Sequence, residues 1–352
     1  MTDDRDTPDG QETDLLGIGP AARALSMPVK RLRRLADQGR VPFELTEGRH
    51  RRFALDAVRR ALGAHENAAP ARPVRTPQWS RSLPLDGLDE DVVWRQLVAE
   101  LALEPGDRAF GLTQYAFEEI LNNAVDHSGG AQVAVDLWTP THSDPTLRFR
   151  VSDDGVGVFA RMLEVMSTDD PRVAALELTK GKFTTMPQRH SGQGIFFSSR
   201  AMDDFRLEAN GLAFGRSAVL DDFALGTSNS SRGTTVTASV AMDTRRTMAD
   251  VFGPFTSERG FDRTRPSMRL ALSGDRFLSR AEARRVLKRL EEFTEVEVDF
   301  SGVGEVGQGF VDEMFGVWAP AHPQTKLIPM DMNPVVEFMV RRGLSDRGRS
   351  PF

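Results

Sequence analysis

The 352-residue sequence contains no cysteine, which excludes a disulfide framework and any thiolate zinc site. No stretch approaches the ~18 consecutive apolar residues that a membrane-spanning helix needs. The opening MTDDRDTPDGQETD is acidic and polar, unlike the basic-then-apolar pattern of a secretory leader. A cytoplasmic location, with no membrane contact, is the expectation. Apolar residues at 39% and charged residues at 27% suffice for ordinary packed cores. The length suits two or three domains of ~100–200 residues better than one. A net charge of −6 argues against a protein that coats nucleic acid along its whole surface. The charge is uneven, because residues 21–60 hold eleven Arg or Lys against four Asp or Glu.

Composition divides the chain. Residues 1–16 lack periodicity and read as a disordered acidic tail. Residues 64–84, with AHENAAPARPVRTPQWSRSL at their core, read as a semi-extended linker. A second break is expected near 255–267, where strand-like alternation ends in FTSERGFDRTRPS. The predicted domains are thus 17–63, 85–255 and 268–345.

In the first of these, residues 18–26 and 28–38 have helical spacing around a Ser26-Met27-Pro28 turn. Leu32 and Leu35 fall on an apolar face with Val29, whereas Lys30, Arg31 and Arg34 fall largely elsewhere. VPFELTEGRHRRF then reads as a two-stranded wing with Gly48 at its turn, and DAVRRAL as a third helix. Phe53 and Val58 are expected in the core. The run Gly48-Arg49-His50-Arg51-Arg52-Phe53 resembles the wing of the MerR/excisionase-type winged helix-turn-helix family. That resemblance implies a DNA-binding domain, with Lys30, Arg31 and Arg34 on the groove-facing helix and His50, Arg51 and Arg52 gripping phosphate. The alternative for the helix alone is a solvated charged face.

Four motifs follow in residues 85–240. EEILNNAVDHS sits on a helix whose Phe117, Ile120, Leu121 and Ala124 recur at helical spacing, so Glu119 and Asn123, four apart, project from one face. An amide oxygen such as that of Asn123 suits a hard divalent cation such as magnesium, and Glu119 is placed to act as a general base. RFRVSDDGVGV runs from a strand into Asp153-Asp154-Gly155-Val156-Gly157. HSGQGIFFSSRAMDDF puts Gly192 and Gly194 before a helix, where backbone N–H groups can meet phosphate. SRGTTVTASV is a glycine followed by an alternating strand that contains Thr234. Residues 159–190 have the length of a lid, and ELTKGKFTT offers Lys180 and Lys182 as phosphate contacts or plain surface charges.

The order of these motifs resembles that of the histidine-kinase/gyrase (GHKL) ATPases. The resemblance implies a Bergerat-fold α/β sandwich that binds ATP and Mg2+. By family position Asp153 accepts from the adenine amino group, Gly155 and Gly157 admit the base, Gly192 and Gly194 hold phosphate, and Thr234 bonds near adenine. The segment around Gly181-Lys182-Phe183 and His190 to Arg200 is similar to a bacterial subgroup in which this ATPase precedes a STAS-like domain.

Residues 268–344 alternate strand and helix, the pattern of a small α/β domain. Asp299-Phe300-Ser301-Gly302-Val303 and Gly307-Gln308-Gly309-Phe310 resemble STAS domains, which implies a protein partner. Those domains usually carry a phosphorylatable Ser or Thr where Gln308 and Gly309 stand, and Ser301 reads as a turn residue. The sequence as a whole predicts a multidomain bacterial regulator: a small winged helix-turn-helix that binds DNA, an ATPase that controls it, and a STAS-like domain, with homo-oligomers allowed. Two alternatives stand beside it, an anti-sigma-type serine kinase and a nucleotide sensor without turnover.

Overall fold

The computed structural model describes residues 15–25, 29–37, 41–46, 48, 50–58, 75–103, 106–184, 192–217, 222–268 and 276–345. The tail up to residue 14, the turn Ser26-Met27-Pro28 and the linker over 64–74 lie outside the described residues. The chain forms two compact units, Met1–Arg72 and Pro73–Phe352.

In the first unit β1 (Leu15–Gly17), α1 (Ile18–Ala24), α2 (Val29–Asp37), β2 (Glu44–Leu45), β3 (Arg51–Ala54) and α3 (55–58) follow in order. The strands make an antiparallel sheet in the order β1-β3-β2. Leu32, Leu35, Phe53 and Val58 are fully buried, so the helical period of α2 and the alternation of β3 turn their apolar residues into one small core.

The second unit is built on an antiparallel seven-stranded sheet of order β4-β5-β6-β10-β7-β8-β9. Its strands are β4 (Trp79–Pro84), β5 (Gln132–Trp138), β6 (Thr146–Asp153), β7 (Asp204–Ala209), β8 (Leu212–Ser217), β9 (Asp222–Thr227) and β10 (Thr234–Ala241). β4 corrects the linker expectation for its last residues: Trp79–Pro84 pairs with β5, and Trp79 is buried. The Pro and Arg content around it masked a strand anchored by one large aromatic side chain. Against the sheet pack α4 (Glu90–Leu101) and α5 (Arg108–His127). Phe117, Leu121 and Ala116 of α5 are fully buried, each large side chain contributing ~1.5–3 kcal/mol, so the apolar stripe fixes which face of α5 looks away from the sheet. α6 (Val158–Met166), α7 (Pro171–Lys180), α8 (Gly194–Ala201) and α9 (Met248–Phe252) complete this layer.

The expected break at 255–267 is not an open linker. It forms the short strands β11 (Thr256–Ser257), β12 (Gly260–Phe261) and β13 (Arg263–Thr264), and its Phe261 packs on Phe196 and Phe197 of α8 at 4.8 and 5.0 Å between ring centres. β13 begins a parallel sheet β13-β15-β17. The remaining elements are β14 (Arg276–Phe277), α10 (Arg280–Leu287), β15 (Glu295–Asp299), β16 (Glu305–Val306), α11 (Gln308–Val311), a π-helical stretch Asp312–Trp318, α12 (Ala319–Ala321), β17 (Lys326–Met330) and α13 (Pro334–Ser345). α10 stops at Leu287, where Lys288 turns out of the helix with ψ 126° and Arg289 follows at φ 66°. Residues 269–275, early in the stretch expected to alternate strand and helix, lie outside the described residues. Ser301 is buried in the turn after β15, its N–H donating to Asp299 Oδ1 at 2.9 Å.

Candidate functional site

One edge of α5 carries the half-buried Glu119 and Asn123 side by side, next to the buried Ile120, Leu121 and Ala124. Gly194, the first residue of α8, backs directly onto them. A Cβ there would stand 2.5 Å from Glu119 Oε2 and 3.5 Å from Asn123 Nδ2, so a side chain at this position would have to displace the Glu119 carboxylate. Asn123 Nδ2 is buried and has no hydrogen-bond partner among the described residues. A buried amide without a partner costs ~1–3 kcal/mol, which a polar ligand in the adjoining cavity would relieve. Its neighbour Asn122 is occupied, donating to Glu90 at 2.9 Å.

At the end of β6, Asp153 Oδ1 accepts from the N–H groups of Gly155 at 2.9 Å and Thr234 at 3.2 Å, leaving Oδ2 to accept from a ligand. Burial pushes this carboxyl up, opposed by those same two hydrogen bonds. Asp154 has a different task. Its Oδ1 accepts from the N–H groups of Gln132 and Ala131 at 3.0 and 2.8 Å, which hold it below the usual carboxylate range and fasten the turn to β5. Thr234 Oγ1 accepts from Val158 N–H at 3.0 Å at the start of α6, so the hydroxyl proton remains available to the cavity.

Glu119, Asn123, Asp153, Gly157, Gly192, Gly194 and Thr234 meet around one cavity of about 270 Å³. Gly155 stays behind the wall, packed against the Ser128 carbonyl, where it shapes the Asp153 turn. Gly192 has φ 70° and lies so close to the Lys182–Phe183 peptide that no side chain fits. Residues 185–191, the rest of the expected lid, lie outside the described residues.

Lys180 and Lys182 are turned away from the cavity, which corrects their expected role as phosphate contacts in this conformation. Lys180 is fully buried, its Nζ donating to Glu177 at 2.5 Å and to the Lys288 carbonyl at 2.7 Å. Lys182 donates to the Glu292 carbonyl at 2.7 Å and stands 4.3 Å from the centre of the Phe293 ring. Each lysine reaches one backbone carbonyl of the C-terminal domain, and Lys180 also keeps its ion pair with Glu177 on α7. The basic residue types among the described lining residues are instead Arg161 and His127. His127 follows Asn123 by four residues and was accessible from helical spacing. Arg161 carries no comparable signal.

In the N-terminal unit the hairpin β2–β3 closes through Thr46 N–H to the His50 carbonyl at 3.0 Å and His50 N–H to Thr46 Oγ1 at 3.1 Å. His50 and Arg52 are exposed and Arg51 half-buried, its guanidinium 4.6 Å from the centre of the Phe43 ring. The side chains of Lys30, Arg31 and Arg34 lie outside the described residues.

The acidic turn after β6 and the glycine loop before α8 fall within one continuous stretch of the second unit. Residues 111–244 match the family of histidine kinase-, DNA gyrase B- and HSP90-like ATPases. Residues 282–337 match the STAS-like domain of unknown function (DUF4325). The chain therefore carries a GHKL-type ATPase domain followed by a STAS-like domain. No curated protein matches the sequence. The GHKL ATPase family binds ATP, usually with Mg2+.

Proposed function

We propose that this protein is an ATP-dependent regulator in which the cavity beside α5 binds and hydrolyses ATP and the N-terminal unit binds duplex DNA under its control. The observation that carries the nucleotide reading is the pairing of Asp153 with Asn123. Asp153 has one oxygen tied to the backbone and the other available, and Asn123 Nδ2 is a buried donor without a partner among the described residues, suited to a phosphate oxygen. The adenine amino group donates to Asp153, with the Thr234 hydroxyl beside it. The phosphates lie toward Gly192 and Gly194, where the N–H groups and dipole of α8 favour negative charge, and Arg161 and His127 add cationic or donor capacity. Asn123 would hold Mg2+ through its amide oxygen, the ion neutralising phosphate charge when bound. Glu119 takes the proton of the attacking water. The wing supports the DNA reading: His50 and Arg52 project from a short rigid hairpin as phosphate contacts require. Hydrolysis is favoured over protein phosphorylation because α11 begins with Gln308, which offers no hydroxyl acceptor.

Calorimetric titration of the purified protein with Mg-ATP tests the site. Asp153→Asn should weaken binding by roughly 10–100-fold, the equivalent of a hydrogen bond to a charged group, while leaving unfolding by denaturant close to the parent. Because burial raises the Asp153 carboxyl and ATP needs it ionised, affinity should fall as pH drops, starting above the ordinary aspartate value of 3.8. The variant should lose that dependence. Equal ATP affinity in parent and variant would remove Asp153 from the site.

A further inference from the structure

Residues 180–183, the end of α7 and the strap that follows it, belong to two structures at once. Toward the cavity, Gly181 and Phe183 form part of the wall, and Gly192 of the phosphate loop rests on the Lys182–Phe183 peptide. Toward the C-terminal domain, the same strap is gripped from several directions. Arg289 Nη2 donates to the Lys182 carbonyl at 2.6 Å, Lys182 Nζ to the Glu292 carbonyl at 2.7 Å, and Thr264 Oγ1 to the Lys180 carbonyl at 2.6 Å. Arg289 also lies 3.8 Å from Glu177, itself a wall residue, and 5.5 Å from the centre of the Phe183 ring. Its left-handed φ of 66° is uncommon for a residue with a Cβ, and the surrounding contacts hold it there.

Domain packing alone does not require this arrangement. Phe261 already joins the two domains, touching Phe196 and Phe197 on one side and Phe293 at 5.4 Å on the other. A further polar contact joins Arg285 to Asp170 at the start of α7 at 2.9 Å, but the grip on residues 180–183 falls on the segment against which Gly192 rests. We propose that Arg289 is a positioning residue of the nucleotide site, and that occupancy of the cavity is linked through residues 181–183 to docking of the STAS-like domain. The inference rests on reading the cavity as an ATP site. If the strap must be seated for the glycine loop to receive phosphate, whatever loosens the grip weakens ATP, and ATP in turn tightens the grip by the same factor.

The test has two arms, both on the full chain. In the first, calorimetric Mg-ATP affinity is compared across the parent, Arg289→Ala and Arg289→Lys. Arg289→Ala should bind roughly tenfold more weakly, the scale of one charge-assisted hydrogen bond. Arg289→Lys should recover part of the loss, since an ammonium can reach the carbonyl without reproducing the planar fork. In the second, amide hydrogen exchange of the unmutated chain is followed with and without Mg-ATP, which needs no variant to fold. Exchange around residues 289–294 should slow when ATP binds. ATP binding with equal affinity to all three proteins, or protection confined to residues 111–244, overturns the linkage. A parent that binds no ATP overturns the site reading and the linkage together.

Discussion

Glu119 and Asn123 stand one helical turn apart against the same glycine, yet they are assigned different tasks, so they should fail differently. Glu119→Gln keeps the side-chain shape and removes a base. ATP should still bind, while single-turnover hydrolysis falls by ~10²–10⁴-fold. Asn123→Ala removes the magnesium ligand and should weaken binding itself. A Glu119→Gln protein that hydrolyses ATP at the parent's rate would exclude Glu119 as the base. A parent with no measurable turnover would favour a nucleotide sensor. At this scale much of the site was legible. The Asp-x-Gly-x-Gly pattern separated Asp153 from Asp154, and the structure gives the physical reason, since one carboxylate faces the cavity and the other fastens a turn. The two lysines were misread because sequence records only that they are cationic. Which acceptor a long side chain reaches depends on what the fold brings beside it, here the carbonyls of Lys288 and Glu292 more than a hundred residues away.

Elements with a clean period were the most readable. α5 and the wing strand β3 follow from apolar spacing alone, because a misplaced Phe117 or Phe53 would expose a large ring. β4 was missed because its partner β5 lies beyond α4 and α5 in the chain, and β11, β12 and β13 because each is only two residues long. α7 shows how such partners act. Its final turn buries the Glu177–Lys180 ion pair with both side chains about 1% exposed, and burial lowers the Lys180 ammonium while Glu177 raises it. Removing one member strands a charge in a dry setting. Lys180→Ala should therefore destabilise the second unit by ~3–5 kcal/mol, read as a lower denaturation midpoint. A solvent-facing phosphate contact would change stability by less than ~0.5 kcal/mol on the same substitution, and that result would restore the role first expected from sequence.

Across the whole molecule, the proposed regulator would use a basic hairpin in the first unit and, in the second, a cavity whose wall is held by the STAS-like domain. The central claim is that ATP governs the affinity of the N-terminal unit for DNA. It is tested most directly by fluorescence anisotropy with duplex DNA, at one stated salt concentration, in the presence of ATP, ADP or no nucleotide. Arg51→Ala with Arg52→Ala provides the control that DNA is held by the wing. It should lower affinity and take ~0.9 per lost phosphate contact from the slope of log K against log salt, with Mg-ATP affinity unaltered. For the parent protein the account predicts DNA affinities that differ between nucleotide states by roughly 5–150-fold, the usual range of coupling between two sites. DNA affinity equal in all three states, in a protein shown to bind ATP, would contradict it.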